Sequence, residues 1–109
     1  MKSNIFVLLL VLFLSGCTVL YSEPALWKSR AGKMYQFNAE YEMGTTGRRI
    51  NIYCNGKKIM VGKAHYWPKR LTMTTDIDGM QAAAVCGGQE GAKICEILIS
   101  GEHVAKLRF

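Results

Sequence analysis

The chain has 109 residues, of which half are hydrophobic, and its 14 Lys and Arg against 8 Asp and Glu give a net charge of +6. This length allows one domain and excludes a multidomain protein. The positive charge favours anionic partners such as lipid headgroups, lipopolysaccharide, peptidoglycan carboxylates or an acidic protein surface, although a charge of this size also serves solubility alone.

The N-terminal segment has the composition of an export signal. It carries one basic side chain, Lys2, followed by an uncharged apolar run of ten residues at 5–14. A bilayer-spanning helix needs about 20 apolar residues, so this run is too short for an ordinary membrane span. A short basic start, a short apolar run and small residues before a cleavage point are typical of a secretory signal peptide. We therefore predict that residues 1–16 are removed on export.

The motif Leu14-Ser15-Gly16-Cys17 resembles the lipobox of bacterial lipoproteins. The resemblance implies that Cys17 is joined to diacylglycerol and becomes the acylated first residue of the mature chain. Two or more acyl chains hold a protein stably on a membrane. In this class an Asp after the Cys usually retains the protein in the inner membrane, so Thr18 implies the periplasmic face of an outer membrane. The alternative is an ordinary secretory signal with a chance Cys.

Residues 17–32 are predicted to be a lipidated tether, because Ser residues and Pro24 interrupt them and they show little periodicity. Within them, Trp27-Lys28-Ser29-Arg30 places a ring among cations, a mixture that suits a membrane interface. The alternative is that Trp27 packs at the edge of the domain. Residues 33–109 are then the folded domain.

The first predicted strand covers residues 33–43, where apolar side chains alternate with polar ones. Lys33 shares the face of the apolar set, which comprises Tyr35, Phe37, Ala39, Tyr41 and Met43. A period of two over this length indicates a half-buried strand. Residues 44–47 are predicted to be a turn.

Residues 48–64 are predicted to be a hairpin around Asn55-Gly56, the dipeptide most favoured in two-residue turns. With Cys54 opposite Lys57, the expected register sets Ile52 opposite Ile59 and Ile50 opposite Val61. These pairings place all four aliphatic side chains on one face, as a specified register requires.

Residues 71–86 repeat this pattern around Asp78-Gly79, with Ile77 opposite Met80 and Leu71 opposite Cys86. Residues 80–85 are also compatible with a short helix, because Ala and Met favour one. We favour a strand since the run is short and glycines flank it. Residues 94–99 and 103–109 predict a last hairpin, with Ile99 opposite Val104 and a turn at 100–102.

Seven short strands joined mainly by tight turns predict an all-β domain. The expected architecture is an antiparallel meander closed into a small barrel or folded into a two-layer sandwich.

Three cysteines remain after Cys17. An exported chain lies in an oxidising compartment, so we predict a disulfide. We favour Cys86–Cys95, because the glycine-rich segment between them lets two strands face each other. Pairing of Cys54 with either one remains open, and an odd number leaves one thiol over. The cysteines form no CxxC motif and His residues are few, so we predict no metal site.

The segment His65-Tyr66-Trp67-Pro68-Lys69-Arg70 is predicted to be an exposed loop, since Pro68 cannot donate to a ladder and keeps Trp67 extended. Its rings and cations predict a binding site for a glycan or an anionic group. The candidate residues are His65, Tyr66, Trp67, Lys69 and Arg70. The alternative is a surface connection whose rings cover the end of the domain.

The residues do not favour catalysis. No sequence typical of a nucleophilic site surrounds the cysteines or His65 and His103. Asp76 and Asp78 lie two residues apart, and a turn accounts for them. Cys86-Gly87-Gly88 lacks the strand–loop–helix context of a phosphate-binding loop. We predict no enzyme activity and no cofactor.

Together these features predict an outer-membrane lipoprotein that acts by binding another envelope protein or an anionic glycan, and not nucleic acid. An alternative follows from Tyr53-Cys54-Asn55-Gly56, which is similar to the start of the domain in small periplasmic lysozyme inhibitors. Those are lipid-anchored, disulfide-bonded β-barrels. Against this alternative, the chain has no matching inhibitory loop, and a basic chain would repel a basic lysozyme.

Overall fold

The structure, a computed structural model, describes residues 18–44, 47–64, 66–68, 70–88 and 91–109. The strands in this part of the chain are β1 (Thr18–Tyr21), β2 (Ala25–Lys28), β3 (Met34–Gly44), β4 (Gly47–Cys54), β5 (Lys57–Ala64), β6 (Arg70–Ile77), β7 (Met80–Gly87), β8 (Ile94–Ile99) and β9 (Glu102–Arg108). Strands β3 to β9 coincide with the seven predicted runs, and the ambiguous run after Gly79 is a strand. No helix in the described part is long and apolar enough to cross a membrane.

The strands form two antiparallel sheets. One has the order β1-β3-β4-β5 with β2 also pairing β3, and the other is the meander β6-β7-β8-β9. The all-β prediction is therefore confirmed. Among the residues described, no ladder joins the two sheets into a closed barrel, and the arrangement is compatible with a sandwich.

One buried cluster lies on the apolar faces of both sheets. The predicted alternation of β3 is confirmed, because Tyr35, Phe37, Ala39 and Tyr41 are all buried. The other sheet contributes residues from every strand, including Met73, Ala84, Ile97 and Leu107. Burying a side chain such as Phe37 or Ile97 contributes roughly 1.5–3 kcal/mol each, so this shared cluster holds the two sheets together.

Gly62 lies where β5 approaches β6 of the other sheet. A Cβ atom at this position would stand 2.6 Å from Leu71 Cδ2 and 2.8 Å from Met73 Sδ. The missing side chain therefore leaves room for two side chains of the meander against β5.

Three hairpin turns are two residues long with both residues at positive φ, namely Asn55-Gly56, Asp78-Gly79 and Ser100-Gly101. This backbone is that of the tight turns whose twist matches paired strands. The predicted register around Asp78-Gly79 is confirmed from Ile77↔Met80 to Leu71↔Cys86.

The register predicted for the β4–β5 hairpin is wrong beyond its first two pairs. Tyr53 lies opposite Lys58 as expected, but a bulge then sets Ile52 opposite Met60 and Ile50 opposite Gly62. A bulge adds one residue to one strand of a pair, here Ile59. Met60 is therefore the residue that enters the core.

The register of the last hairpin is also wrong. The turn consists of residues 100–101 and not the predicted 100–102, and Ile99 lies opposite Glu102 and not the predicted Val104. A second bulge then pairs Ile97 with Ala105. Bulges change which residues face each other without changing the composition of either strand, so counting alternation from the turn misses them.

The predicted tether is not a free linker over its described part. Strand β1 pairs with β3 from Thr18↔Met43 to Tyr21↔Glu40, and β2 pairs with its other half. Between them, the Ser22 N–H donates to the Ala39 carbonyl at 2.9 Å, and the Ala39 N–H donates to Ser22 Oγ at 2.8 Å.

Pro24 lies in this interruption, where a residue without an N–H is tolerated at a sheet edge. Because most side chains of this edge are exposed, the segment shows no buried face in its sequence, and its pairing was missed.

Candidate functional site

The five-stranded sheet has two ends that differ in chemistry. At one end Thr18, Met43, Arg48 and Ala64 lie side by side on neighbouring strands. We call this the proximal end, because Thr18 directly follows Cys17 in the sequence. The distal end is the opposite one, where β3 begins at Met34. Strands rise about 3.4 Å per residue, so Met34 and Met43 of β3 lie about 30 Å apart.

A cleft of about 800 Å³ opens at the distal end. Its lining comes from the β2–β3 connection and the turns after β6 and β8, and it includes Trp27, Arg30, Lys33, Tyr35, Asp78 and Glu102. We call this group the distal cleft. Ligand pockets in proteins commonly have volumes of about 300–1,000 Å³, so the distal cleft is large enough for a small molecule or a short polymer segment.

Asp78 joins the two sheets at this cleft. Its Oδ2 accepts hydrogen bonds from Lys33 Nζ at 2.7 Å and from the Tyr35 hydroxyl at 2.6 Å. Lys33 Nζ also lies 5.1 Å from the centre of the Tyr35 ring. The turn residue of the meander is thereby tied to the start of β3 in the other sheet, across one side of the cleft.

The charges of this network influence one another. Hydrogen bonds from Lys33 and Tyr35 lower the pKa of Asp78 below its usual value. The same bonds raise the pKa of Lys33 and the pKa of Tyr35. Asp78 is therefore held as a carboxylate, so it suits ion pairing better than proton transfer.

Two rings line the cleft beside this network. Trp27 stacks on Tyr35 with ring centres 5.4 Å apart and an angle of 28° between the planes. Tyr35 is buried, whereas Trp27 is partly exposed. Trp27 thus packs at the domain edge, which was the alternative to a place at the membrane interface. The cleft combines an aromatic wall with two cations, Arg30 and Lys33, and two acids, Asp78 and Glu102.

No family model, no curated protein and no solved structure matches this chain. Any function has to be argued from the chemistry of its own residues.

The two aromatic residues of the predicted binding loop have different surroundings, since one packs on core rings and the other is exposed. Trp67 packs edge-to-face on Tyr41 and Phe109, with ring centres 5.0 and 5.4 Å away. Tyr66 is 76% exposed, and its ring centre lies 5.6 Å from Arg48 Cζ. Trp67 therefore closes the end of the core, as the alternative interpretation expected, and Tyr66 remains open to a partner.

Arg70, also a predicted binding residue, is exposed at the first position of β6. His65 and Lys69 lie outside the described residues, and so does the predicted lipidation site Cys17. All members of the predicted loop that are described lie at the proximal end, away from the distal cleft.

Cys86 and Cys95 form a disulfide, as predicted, and they lie directly opposite each other on β7 and β8. Cys54 is the leftover thiol and is buried. Burial raises the pKa of the Cys54 thiol, which makes it a poor nucleophile. The described residues contain no group of three His, Cys, Asp or Glu side chains that could hold a metal ion.

Sequence reasoning missed the distal cleft because its parts are far apart in the chain. Lys33 and Asp78 are separated by 45 residues. One local sign was present: Lys33 lies on the apolar face of its strand, where a cation needs a partner. Nothing local identified Asp78 as that partner, because a turn already accounted for it.

Proposed function

We propose that this chain is a lipid-anchored, non-catalytic protein of the periplasmic face of a bacterial outer membrane, and that it binds another envelope component through the distal cleft. The observation that carries this proposal is the position of an open, aromatic and charged cleft at the opposite end of the domain from Thr18, the residue that follows the lipobox cysteine. A protein held at one end presents its other end to partners.

The lipobox resemblance supports the anchor half of this proposal. Leu14-Ser15-Gly16-Cys17 follows a short apolar run, and the disulfide Cys86–Cys95 fits an oxidising compartment. If Cys17 is the acylated first residue of the mature chain, β1 begins at the very next residue. The lipid would then be attached to the edge of the sheet itself.

The lining of the cleft supports a partner that carries carboxylates and apolar ring faces. Arg30 and Lys33 are cations suited to carboxylates, and the partly exposed Trp27 offers a ring for stacking. An anionic glycan with attached peptides, such as peptidoglycan, has both features. A peptidoglycan fragment is therefore the first ligand to test.

We also propose that the two sheets pack as a two-layer sandwich. The support is the single buried cluster to which both sheets contribute, together with the absence of a ladder between them in the described ranges. The cleft then lies between the layers at their open end.

The residues that suggested a lysozyme inhibitor have structural explanations. Cys54 is a buried core residue at the end of β4, and Asn55-Gly56 is the hairpin turn. Asn55 also fixes β3, since its Oδ1 accepts from the Gln36 N–H at 2.9 Å and its N–H donates to the Gln36 carbonyl at 2.8 Å. No observation in the fold favours inhibition, so we propose no second function.

The anchor is tested by intact mass spectrometry of protein extracted from bacterial membranes. We expect a chain that begins at Cys17 with the added mass of acyl groups, and a Cys17→Ser variant without that mass. A chain that begins at Met1 with no fatty mass would refute the anchor.

The binding half is tested by crosslinking in the native envelope and by pull-down with purified peptidoglycan fragments. We expect Arg30→Ala combined with Lys33→Ala to reduce capture. A matched pair, Lys57→Ala with Lys58→Ala, removes two exposed cations outside the cleft and should leave capture unchanged. Equal losses in both pairs would show that charge alone, and not the cleft, holds the partner.

A further inference from the structure

The anchor leaves almost no slack between membrane and domain. Consecutive Cα atoms are about 3.8 Å apart, so Cys17 lies within that distance of Thr18. Thr18 is itself paired with Met43 in the ladder of the five-stranded sheet. A lipid on Cys17 would therefore keep the proximal end close to the membrane surface, and the tilt of the domain would depend on how the surface around the anchor meets the lipid.

The proximal end is rich in cations. Arg48 lies opposite Met43, which itself pairs with Thr18. The next residue, Arg49, lies opposite Glu42 of β3 on one side and opposite Lys63 of β5 on the other. Arg70 begins β6 just after the connection from β5. Of these four cations, none has an ion pair within 4.0 Å to any acid of the described residues. A set of unpaired cations is suited to an external anion.

Exposed aromatic and apolar side chains accompany these cations. Tyr66 is 76% exposed beside Arg48. On β1, Leu20 is 38% and Tyr21 is 67% exposed, two and three residues from Thr18, with Tyr21 opposite Glu40. Tyrosine is enriched where membrane and water meet, because its ring is apolar and its hydroxyl is polar. The end of the domain next to the lipid thus has the composition of an interfacial surface.

We propose that the proximal end binds anionic phospholipid headgroups, through Arg48, Arg49, Lys63 and Arg70 with Tyr66 at the interface. This inference rests on the proposed anchor. The phosphates of the leaflet pair with these cations, of which Arg48 is also held by a hydrogen bond from its Nη1 to the Tyr41 hydroxyl at 3.0 Å, and the domain stands on the membrane in one orientation. The distal cleft then points away from the bilayer, about 30 Å above it along β3.

The charge contribution follows from the attraction of basic side chains to an anionic leaflet. Each Lys or Arg near such a surface strengthens partitioning about fivefold. Replacing Arg49 and Lys63 with Glu removes two positive charges and adds two negative ones. This change should therefore abolish the preference of the protein for anionic lipid. The attraction is screened by salt, so it should weaken as ionic strength rises.

The experiment uses the mature lipidated protein, isotope-labelled and held in nanodiscs that contain a lipid with a paramagnetic headgroup. In discs with phosphatidylglycerol, we expect strong relaxation enhancement at the amides of Arg49, Lys63 and Tyr66, and none at Asn55 or Asp78. In discs of phosphatidylcholine alone, the contrast between the two ends should shrink. Equal enhancement at both ends in anionic discs would overturn the fixed orientation.

The variant Arg49→Glu with Lys63→Glu should remove the dependence on phosphatidylglycerol. Lys57→Glu with Lys58→Glu is the matched control, because it makes the same charge change at the other end of the same hairpin. If the control behaves like the proximal variant, the surface assignment is wrong. Protein without acyl mass would overturn the anchor and the orientation together, whereas acylated protein with equal enhancement at both ends would overturn the orientation alone.

Discussion

The two ends of the domain use their charges in opposite ways. At the distal end, Lys33 and Asp78 are paired and Tyr35 completes the network. At the proximal end, Arg49 and Lys63 face solvent with no ion-pair partner within 4.0 Å among the described residues. Paired charges hold two sheets at a fixed spacing, whereas unpaired charges of one sign are available to a partner. At the distal end the ion pair thus supports the walls of the cleft that we propose for a partner, and at the proximal end the unpaired cations are those that we propose to meet the membrane.

The tryptophans show a similar contrast. Trp67 is wedged against Tyr41 and Phe109 and closes the proximal end of the core. Trp27 stacks on one ring, Tyr35, and forms part of the cleft wall. One ring is therefore mainly a packing residue, while the other is placed to meet a ligand.

The largest effect should come from the aromatic closure of the proximal end. Tyr41 is fully buried, with Trp67 and Phe109 as ring neighbours at 5.0 and 6.3 Å. Tyr41→Ala should lower the free energy of unfolding by about 3–5 kcal/mol, because it leaves a cavity in the core. Denaturant unfolding measures this loss. The control Tyr66→Ala, at an exposed ring, should change it by less than about 0.5 kcal/mol.

Loss of the disulfide should have the next largest effect. Cys86→Ala with Cys95→Ala should lower the free energy of unfolding by roughly 2–4 kcal/mol, because the unfolded chain is no longer crosslinked. Unfolding curves with and without a reductant make the comparison. Reductant should destabilise the parent chain and the Cys54→Ala variant, and should leave the double variant unaffected. A parent chain insensitive to reductant after complete reduction would contradict this assignment.

Removal of the Asp78 carboxylate should change how stability depends on pH. The folded-state pKa of Asp78 is lowered, so its carboxylate stabilises the fold fully at pH values above the unfolded-state pKa. This stabilisation is lost as the pH falls through the folded-state pKa, in the acid range below about 4. Asp78→Asn should remove this acid loss. Asp76→Asn, at an exposed position of β6, should retain it. Unfolding measured across acid pH distinguishes the two variants.

Lys33 makes stability depend on pH in the alkaline range, and there stability is lost as the pH rises. The folded-state pKa of Lys33 is raised, so its charge stabilises the fold fully at pH values below the unfolded-state pKa of about 10.5. This stabilisation is lost as the pH rises through the folded-state pKa. Lys33→Met should remove both this loss and the cation that faces the cleft. The raised pKa values of Tyr35 and Tyr53 leave some alkaline loss in the variant, so the comparison is one of size. An alkaline loss as large as in the parent chain would contradict the assignment to Lys33.

The smallest effect should come from Tyr35→Phe. This change keeps the ring that stacks on Trp27 and removes only the hydroxyl that donates to Asp78. The pKa of Asp78 should rise part of the way toward its usual value, because Lys33 still donates. Titration of the carboxyl carbon by NMR measures this shift. An unchanged pKa would mean that the hydroxyl does not hold the carboxylate.

Much of the domain was predictable because its causes are local. Alternation along β3 depends on which side chains prefer water, and the types of consecutive residues show that preference directly. The turns at Asn55-Gly56 and Asp78-Gly79 need residues that tolerate positive φ, and those residue types identify them. The Cys86–Cys95 pair followed from two strand runs with a short flexible segment between them.

The parts of the site that sequence reasoning missed depend on residues that meet only in the folded chain. Lys33 beside one sheet forms an ion pair with Asp78 of the other sheet. Arg48 on β4 lies over the ring of Tyr66, which is in the connection between β5 and β6. The sequence predicts one binding surface at 65–70, yet Trp67 packs against Phe109 while Tyr66 is exposed.

The sequence by itself determined the seven strand runs, the buried face of β3 and the turns at Asn55-Gly56 and Asp78-Gly79, and it favoured the Cys86–Cys95 disulfide, since each follows from side-chain periodicity or from the backbone that a short segment can adopt. The tertiary structure decided the rest. The edge strands β1 and β2 exist because β3 offers them unpaired backbone groups. The bulges at Ile59 and Val104 shift the pairing of β5 and β9, and the alternation of residues within each strand does not reveal them. The distal cleft forms because the turns of two separate sheets come to rest at the same end of one core.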